Sequence, residues 1–375
     1  MSSHKRVCAY VNLENAIYNM NNMHANIDTN SKIMAVIKTD AYGHGAVELA
    51  KKLNTLEYLQ GFAVATLEEA LELRKAGIKK TILILGFVFI EDYEAVVAND
   101  IRIAVFKKDM AIALSNEAKR QNKTAFCHIK IDTGMGRIGF LPNEESAKEV
   151  KEIAELNNLK LEGIFTHFAK ADMTGKEPTL EQIDKFKGFI KLCDELGVKF
   201  DIHHCSNSAG IIDYPEANFD MVRAGITLYG LWPSDEVSKD KVLLKPLMSV
   251  KSHIAYIKTV KKGTAISYGG TYVSDDDIKI ATIPVGYGDG YPRSLSNKGY
   301  VLIHGKMAKI LGRVCMDQMM VDVSDIDNVS EYDEVTLIGR DGDLEITMEQ
   351  LGDMSGRFNY ELACDIGKRV PRVYI

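Results

Sequence analysis

Along the first two-thirds of the chain, short apolar runs alternate with segments in which apolar positions recur every three or four residues. The short runs read as strands at 33–37, 61–65, 81–86, 101–106, 126–131, 161–167, 201–206 and 219–225. Between them the spacing predicts helices at 67–76, 109–121, 144–157 and 180–196. In the last of these Ile183, Phe186, Phe189, Ile190 and Cys193 share one face, with Lys and Asp opposite. Gly77 and Gly197 stand at the expected helix stops. Eight strands alternating with helices over about 230 residues match the count and size of a (β/α)8 barrel. A doubly wound sheet is the rival, but no G-x-G-x-x-G follows the first strand.

From about Trp232 the texture changes. Stretches 249–260, 278–285, 299–303, 307–314, 319–323 and 334–338 are β-rich and parted by Gly, Asp and Asn turns. Helical spacing returns only at 348–352. The expected architecture is an N-terminal (β/α)8 TIM-type barrel over 11–237 and a mainly β domain over 238–375. Residues 1–10 are expected to pack with the second domain.

Length and composition narrow the class. A chain of 375 residues, 46% hydrophobic and 26% charged, has the make-up of a globular enzyme with a sizeable core. A formal charge of -6 without a basic tract argues against nucleic acid or an anionic membrane as partner. Residues 1–6 lead into no long apolar run, and no apolar stretch is long enough to span a bilayer, so a cytoplasmic protein is expected. Six cysteines, at 8, 127, 193, 205, 315 and 364, lack any paired spacing, which fits reduced thiols better than disulfides or zinc.

In a barrel, chemistry belongs on the loops after the strands, and the unusual polar residues fall there. Lys38 ends the first strand and opens Lys38-Thr39-Asp40-Ala41-Tyr42-Gly43-His44-Gly45. A lysine at the mouth of a buried strand can have its pKa depressed, leaving a neutral amine to attack a carbonyl. Gly134-Met135-Gly136-Arg137 follows the fifth strand, just after Lys130 and Asp132. His167 ends the sixth, Cys205-Ser206-Asn207-Ser208 the seventh, and Arg223 lies near the end of the eighth. An arginine in an apolar strand needs a partner, because an unpaired buried guanidinium is expensive. Ser208 sits where barrels commonly bind phosphate, although Ser-Asn-Ser alone is also a good helix cap. Neighbouring His203 and His204 point to opposite faces of a strand, poor geometry for a shared metal, and read as structural.

Together these residues resemble alanine racemase, a fold-type III pyridoxal 5'-phosphate (PLP) enzyme. The resemblance rests on Ala35-Val36-Ile37-Lys38-Thr39-Asp40-Ala41-Tyr42-Gly43-His44-Gly45 and Asp132-Thr133-Gly134-Met135-Gly136-Arg137-Ile138-Gly139. It continues through Thr166-His167-Phe168-Ala169, Arg223-Ala224-Gly225-Ile226, Ser267-Tyr268-Gly269, Pro284-Val285-Gly286-Tyr287 and Gly312-Arg313-Val314-Cys315-Met316-Asp317-Gln318. The motifs cover essentially the whole chain, and their order makes the match specific.

The resemblance implies a cytoplasmic homodimer with shared active sites that racemises L-alanine to D-alanine for peptidoglycan. Lys38 would hold PLP and act on one face of the substrate Cα. Tyr268, lent by the partner subunit, would act on the other. An ordinary tyrosine is a poor base at neutral pH, with a pKa of ~10, so His167 and Arg223 would supply a network favouring the phenolate. Arg223 would face the pyridine nitrogen and, always protonated, keep that nitrogen unprotonated, limiting the ring as electron sink. Phosphate contacts would come from Tyr42, Ser208, Gly225 and Ile226. Arg137 would orient Tyr268 or the substrate carboxylate, beside a carbamylated Lys130. Tyr287 and Met316 would lie on the substrate-access and carboxylate side.

One position departs from the pattern. Where family members carry a phosphate-side tyrosine before the terminal Arg-Val-Pro-Arg, this chain has Lys368. Its different packing raises the expectation of a serine or broad-specificity racemase as alternative, with measurable serine racemisation. PLP carrier proteins share the barrel and lysine but lack a β domain. Fold-type III decarboxylases call for a protonated ring nitrogen facing a carboxylate, and Arg223 argues against them.

Overall fold

The computed structural model describes residues 6–375. They pack as two units: one takes the described residues up to Asn15, 42–45 and Pro246–Ile375, the other Ala16–Ala41 and Ala46–Lys245. The sequence places the boundary near residues 234–241, and the chain passes between units at Lys245 and Pro246.

The first strand, β1 (Val7–Val11), belongs to the smaller unit. In the larger unit, β2 (Lys32–Val36), β3 (Leu59–Val64), β4 (Thr81–Ile84), β5 (Arg102–Val105), β6 (Ala125–Lys130), β7 (Leu159–Phe165), β8 (Ile202–His204) and β9 (Met221–Ala224) form one parallel sheet in the order 8-7-6-5-4-3-2-9. An amide of Arg223 donating to the Ser206 carbonyl at 3.0 Å joins the two ends into a nearly closed barrel. All eight expected strands are there, each within a few residues of its expected bounds. Buried on both faces, they read as continuous apolar runs such as Ile33, Met34, Ala35 and Val36, all under 8% exposed. Helices Ala46–Leu53, Leu67–Lys75, Lys108–Arg120, Glu144–Ala154 and Glu177–Glu195 connect them, with Tyr93–Ala98 and Ser208–Asp213 as shorter links. The helix stops at Gly77 and Gly197 adopt φ of 89° and 81°, the left-handed conformation that ends a helix.

The smaller unit is mainly β, as expected. It contains β10 (Met248–His253), β11 (Tyr256–Val260), β12 (Ala265–Ile266), β13 (Tyr272–Val273), β14 (Ile278–Ile283), β15 (Tyr300–Ile303), β16 (Lys306–Leu311), β17 (Met319–Asp322), β18 (Glu334–Asp341), β19 (Leu344–Ile346) and β20 (Arg372–Tyr374). The main sheet runs 11-14-17-16-15-18-10-1-20, so β1 lies between β10 and the C-terminal β20. Residues 1–5, also expected to pack here, lie outside the described residues. Stretch 249–260, read as one strand, is two. Its halves pair with different partners, β10 with β18 and β11 with β14, and the chain turns at Ile254 and Ala255 to change over. Helices Met348–Ser355 and Asn359–Asp365 complete this unit, the second unforeseen from the sequence.

Candidate active site

Lys38 is half-buried directly after β2 and heads an unusual turn. Thr39, Asp40, Ala41 and Tyr42 all have positive φ, 56°, 50°, 55° and 51°, a left-handed helical turn built without glycine. That conformation strains ordinary L-residues by roughly 1–2 kcal/mol each, so neighbouring contacts must hold it. Glu69 does so from the first turn of helix Leu67–Lys75, after β3: Oε1 accepts the Thr39 amide at 2.5 Å and Oε2 the Ala65 amide at 2.7 Å. Asp40 Oδ1 accepts the Ala46 amide at 2.8 Å. Strain fixed in this way at a strand mouth orients what precedes it, here Lys38.

Around the mouth, the side chains singled out from the sequence gather. Arg223, 2% exposed, spreads its two terminal nitrogens over five acceptors. Nη1 donates to His204 Nδ1 at 2.9 Å and to the His204 carbonyl at 3.1 Å. Nη2 donates to the carbonyls of Thr166 and Cys205 at 2.8 and 3.0 Å, and to His167 Nδ1 at 3.2 Å. Its partner is therefore a set of neutral acceptors and not a carboxylate. Burial pulls the guanidinium down to about 10, which still leaves it protonated at neutral pH. His167 is held well below the usual histidine range, by burial first and then by the charges of Arg223, Arg137, Lys130 and Lys38. It is a neutral acceptor among basic side chains.

Lys130 ends β6, only 2% exposed, with Nζ on the Ile131 carbonyl at 2.5 Å. Burial pushes it down to about 7; Arg223 and Arg137 push the same way and Asp132 opposes. Asp132 ties down the glycine loop, one carboxylate oxygen accepting the amides of Gly134, Met135 and Gly136 at 2.9–3.0 Å. Burial works against that carboxylate, but the amide bonds and Lys130 outweigh it and keep it below its usual range. Arg137 is exposed in the same loop.

Ser208 Oγ, 4% exposed, accepts the Gly225 amide at 3.0 Å and the Thr227 amide at 3.3 Å and lies 2.9 Å from the Thr227 hydroxyl. With its acceptor capacity taken, its own proton is left to donate outward. Gly225 and Ile226 stand at the start of the short turn Ile226–Tyr229. A donor hydroxyl beside the backbone amides that open this turn fits an anionic group such as a phosphate. The residues present therefore fit PLP.

Two positioning side chains escaped the sequence reading. Gln182, 4% exposed on helix Glu177–Glu195, bonds Thr133 Oγ1, the His167 carbonyl and the Ala169 amide at 3.0, 3.1 and 2.9 Å. Only its burial on an otherwise amphipathic face could have flagged it. His204, which reads as structural in the sequence, lies on Arg223. The two neighbouring histidines do face opposite ways, since His203 turns outward to Asp220 at 2.7 Å. That geometry rules out a shared metal but leaves the inward ring free for another role.

The remaining candidates, Tyr42, Tyr268, Tyr287, Met316 and Lys368, belong to the smaller unit. Tyr42 is 8% exposed, its ring 6.1 Å from that of Tyr360. Tyr268 opens a short turn after Ser267, whose φ is 65°, and stands 70% exposed. It shares with Met316, Asp317 and Gln318 an open concavity of about 650 Å³. The Tyr287 and Met316 turns are laced together: the Tyr287 and Gly288 amides donate to the carbonyls of Cys315 and Met316 at 3.0 and 2.9 Å. A side chain at Gly286 would come within 2.2 Å of the Cys315 carbonyl, so only glycine fits there. Buried Asp289 anchors these turns, accepting from Arg6, Arg369 and the Gly286 amide. Lys368 is exposed next to Arg369.

A nearly closed parallel barrel with a lysine on a strained turn, a buried arginine without a carboxylate and a phosphate-ready hydroxyl, followed by a β domain, defines a PLP-dependent isomerase of fold-type III. The model for the N-terminal domain of alanine racemase matches residues 11–233, and that for its C-terminal domain residues 247–374. A curated alanine racemase of Desulforamulus reducens is 44% identical over 369 residues, 98% of this chain and 99% of that one. The solved alanine racemase of Clostridium difficile 630 superposes with a TM-score of 0.95 at 44% identity, over 99% of this chain and 96% of that one. A structure described as that enzyme in complex with cycloserine gives 0.94 at 42% identity, over 100% and 96%. This chain belongs to the alanine racemase family.

Proposed function

We propose that the protein interconverts L- and D-alanine with PLP and supplies D-alanine for peptidoglycan in the cytoplasm. The observation that carries the reading is the pairing of Lys38 on its strained turn with Arg223 held by neutral acceptors alone. In this reading Lys38, Tyr42, His167, Ser208, Arg223, Gly225, Ile226 and Lys368 hold the coenzyme. When bound, PLP supplies a carbonyl carbon for an amine and a conjugated ring that stabilises charge at the neighbouring carbon.

The residues divide the remaining work. Lys38 Nζ takes or returns the proton on one face of the substrate Cα, and Tyr268 Oη of a second protomer serves the opposite face. Arg223, a fixed cation, leaves no proton for the ring nitrogen and so restrains the electron sink that transamination and decarboxylation need. Arg137, Tyr287 and Met316 receive the substrate carboxylate side. Lys130, a neutral amine in a good part of the population, adds through Nζ to the carbon of carbon dioxide. One C=O π bond opens, a proton leaves to water, and the resulting carbamate faces Arg137. Homodimerisation follows from this scheme, and the exposure of Tyr268, Tyr287 and Met316, 70%, 41% and 53%, supports a surface made to be covered. Among the described residues no helix is long and apolar enough to cross a membrane. The serine or broad-specificity alternative, raised by Lys368, is not favoured: the compared relatives all carry the alanine racemase name.

Absorbance and turnover test the scheme together. Lys38→Ala abolishes both the visible coenzyme band and racemisation of L-alanine, whereas Tyr268→Phe keeps the band and loses turnover. D-alanine formation by either variant at the parental rate overturns it.

A further inference from the structure

We infer that Glu162 and His128 are positioning residues for Arg223, fixing through His204 which way the protons point along a buried chain that ends at the guanidinium. The inference rests on the proposed place of Arg223 beside the coenzyme ring.

The chain crosses five strands. Arg102, first residue of β5, donates Nε and Nη2 to the two Glu162 oxygens at 3.1 and 3.2 Å. Glu162, on β7, meets His128 Nε2 at 3.2 Å. His128 Nδ1, on β6, lies 2.8 Å from His204 Nε2 at the end of β8. His204 Nδ1 then faces Arg223 Nη1 at 2.9 Å. Both histidine side chains are 0% exposed. The chain climbs from the N-terminal end of the barrel, where Asp100 also pairs with Arg102 at 2.8 Å, to the catalytic mouth.

Two backbone features make room for it. Pairing between β6 and β7 slips so that Cys127 faces Leu161 and His128 faces Gly163, leaving Glu162 as an extra residue. Such a bulge re-aims a side chain, and here the one re-aimed is the carboxylate. A Cβ on Gly163 would lie 2.5 Å from His128 Nδ1, so the absence of a side chain there lets the ring pass. Bulge, glycine and half-buried carboxylate converge on one hydrogen bond.

Polarity follows from chemistry. Burial opposes the Glu162 charge, but hydrogen bonds from His128 and Arg102 and the Arg102 charge outweigh it and bring the carboxyl to about 2. Ionised, it only accepts, so His128 carries its proton on Nε2. Burial keeps His128 and His204 below the usual histidine range, against Glu162 for the first and with Arg223 for the second. A neutral His128 must then accept at Nδ1, His204 must donate from Nε2, and His204 Nδ1 must accept from Arg223. The arginine gains a fixed acceptor and no nearby negative charge, because the carboxylate stands two rings away. Arg223, an obligate donor, pins the same polarity from the other end; without Glu162 it holds the chain alone, and any ring that reverses presents N–H to N–H and turns the guanidinium.

Nitrogen-15 NMR of labelled histidines in the coenzyme-loaded protein reads the tautomers directly, independently of turnover. Both rings are expected as Nε2–H in the parent and reversed or mixed in Glu162→Leu. That variant should lose kcat on alanine by about tenfold, the low end of what losing an outer partner costs, because two rings stand between Glu162 and Arg223, with KM nearly unchanged. Glu162→Gln, which keeps an acceptor oxygen, should restore the parental tautomers and most of the rate. If Glu162→Leu does not fold, Gly163→Ala, which crowds the His128 ring, makes the same comparison. An Nδ1–H tautomer in the parent, or parental kcat in a folded variant with reversed rings, overturns the inference. A parent unable to racemise alanine sinks the proposed function instead and leaves the tautomers to decide the chain.

Discussion

Lys130 is a lysine where a charge is hard to keep. Its ammonium is out of water and within the field of Arg137 and Arg223, which is why it titrates near 7. An unfolded lysine titrates near ~10.4. Between those values the unfolded chain holds one more proton than the folded one, so stability rises with pH across that window. The slope approaches about 1.4 kcal/mol per pH unit for a bare amine. A carbamate at Nζ does not titrate there and removes the slope. We therefore expect urea unfolding to show stability climbing from pH 7 to 10 in buffer freed of carbon dioxide. With bicarbonate present the profile should flatten and the native mass increase by one carbon dioxide. Identical slopes under both conditions, with an unmodified mass, would end the carbamate idea; Lys130→Met, without the amine, supplies the flat reference.

At the scale of elements, the turn after β2 shows what local pattern can and cannot carry. Lys38 was legible because an apolar strand must end somewhere, and a lysine before glycines marks that end. The left-handed path of residues 39–42 was not, since Thr-Asp-Ala-Tyr has no conformational signature and the path is imposed by Glu69 and Asp40. Glu69→Ala removes the clamp and the Glu69 half of the capping box on helix Leu67–Lys75, while Thr66 Oγ1 still caps the amide of residue 69, so the stability loss from the cap stays below the ~1 kcal/mol of a lost N-cap. The sharper expectation is faster coenzyme release, followed by loss of the visible band on dilution, with Glu69→Gln, which keeps one of the two acceptor oxygens, falling between the parent and Glu69→Ala. Parental release by Glu69→Ala would mean that the turn holds itself. The bulge at Glu162 was equally hidden: strand reading assumes period two, and one extra residue in β7 is visible only against its neighbour β6. The same holds for β1 and β20, whose pairing joins the two ends of the chain and has no local sign. Barrel, β domain and the rim residues were readable because burial on both faces and strand-end loops are local properties.

The whole molecule raises the question of which protomer serves which site. If Tyr268 works on the coenzyme of a second protomer, Lys38→Ala and Tyr268→Phe are each inactive alone but complementary when mixed. In a hybrid dimer one site collects both substitutions and is dead, while the other holds an intact Lys38 and an intact Tyr268. Random exchange makes half the dimers hybrid with one live site of two, so activity should recover to about a quarter of the parental value. Recovery should also fall on dilution below the dimer dissociation constant, because the live site exists only across two chains. If Tyr268 instead served the lysine of its own chain, every site in every mixture would lack one of the two groups. Mixing would then restore nothing, whatever the oligomeric state.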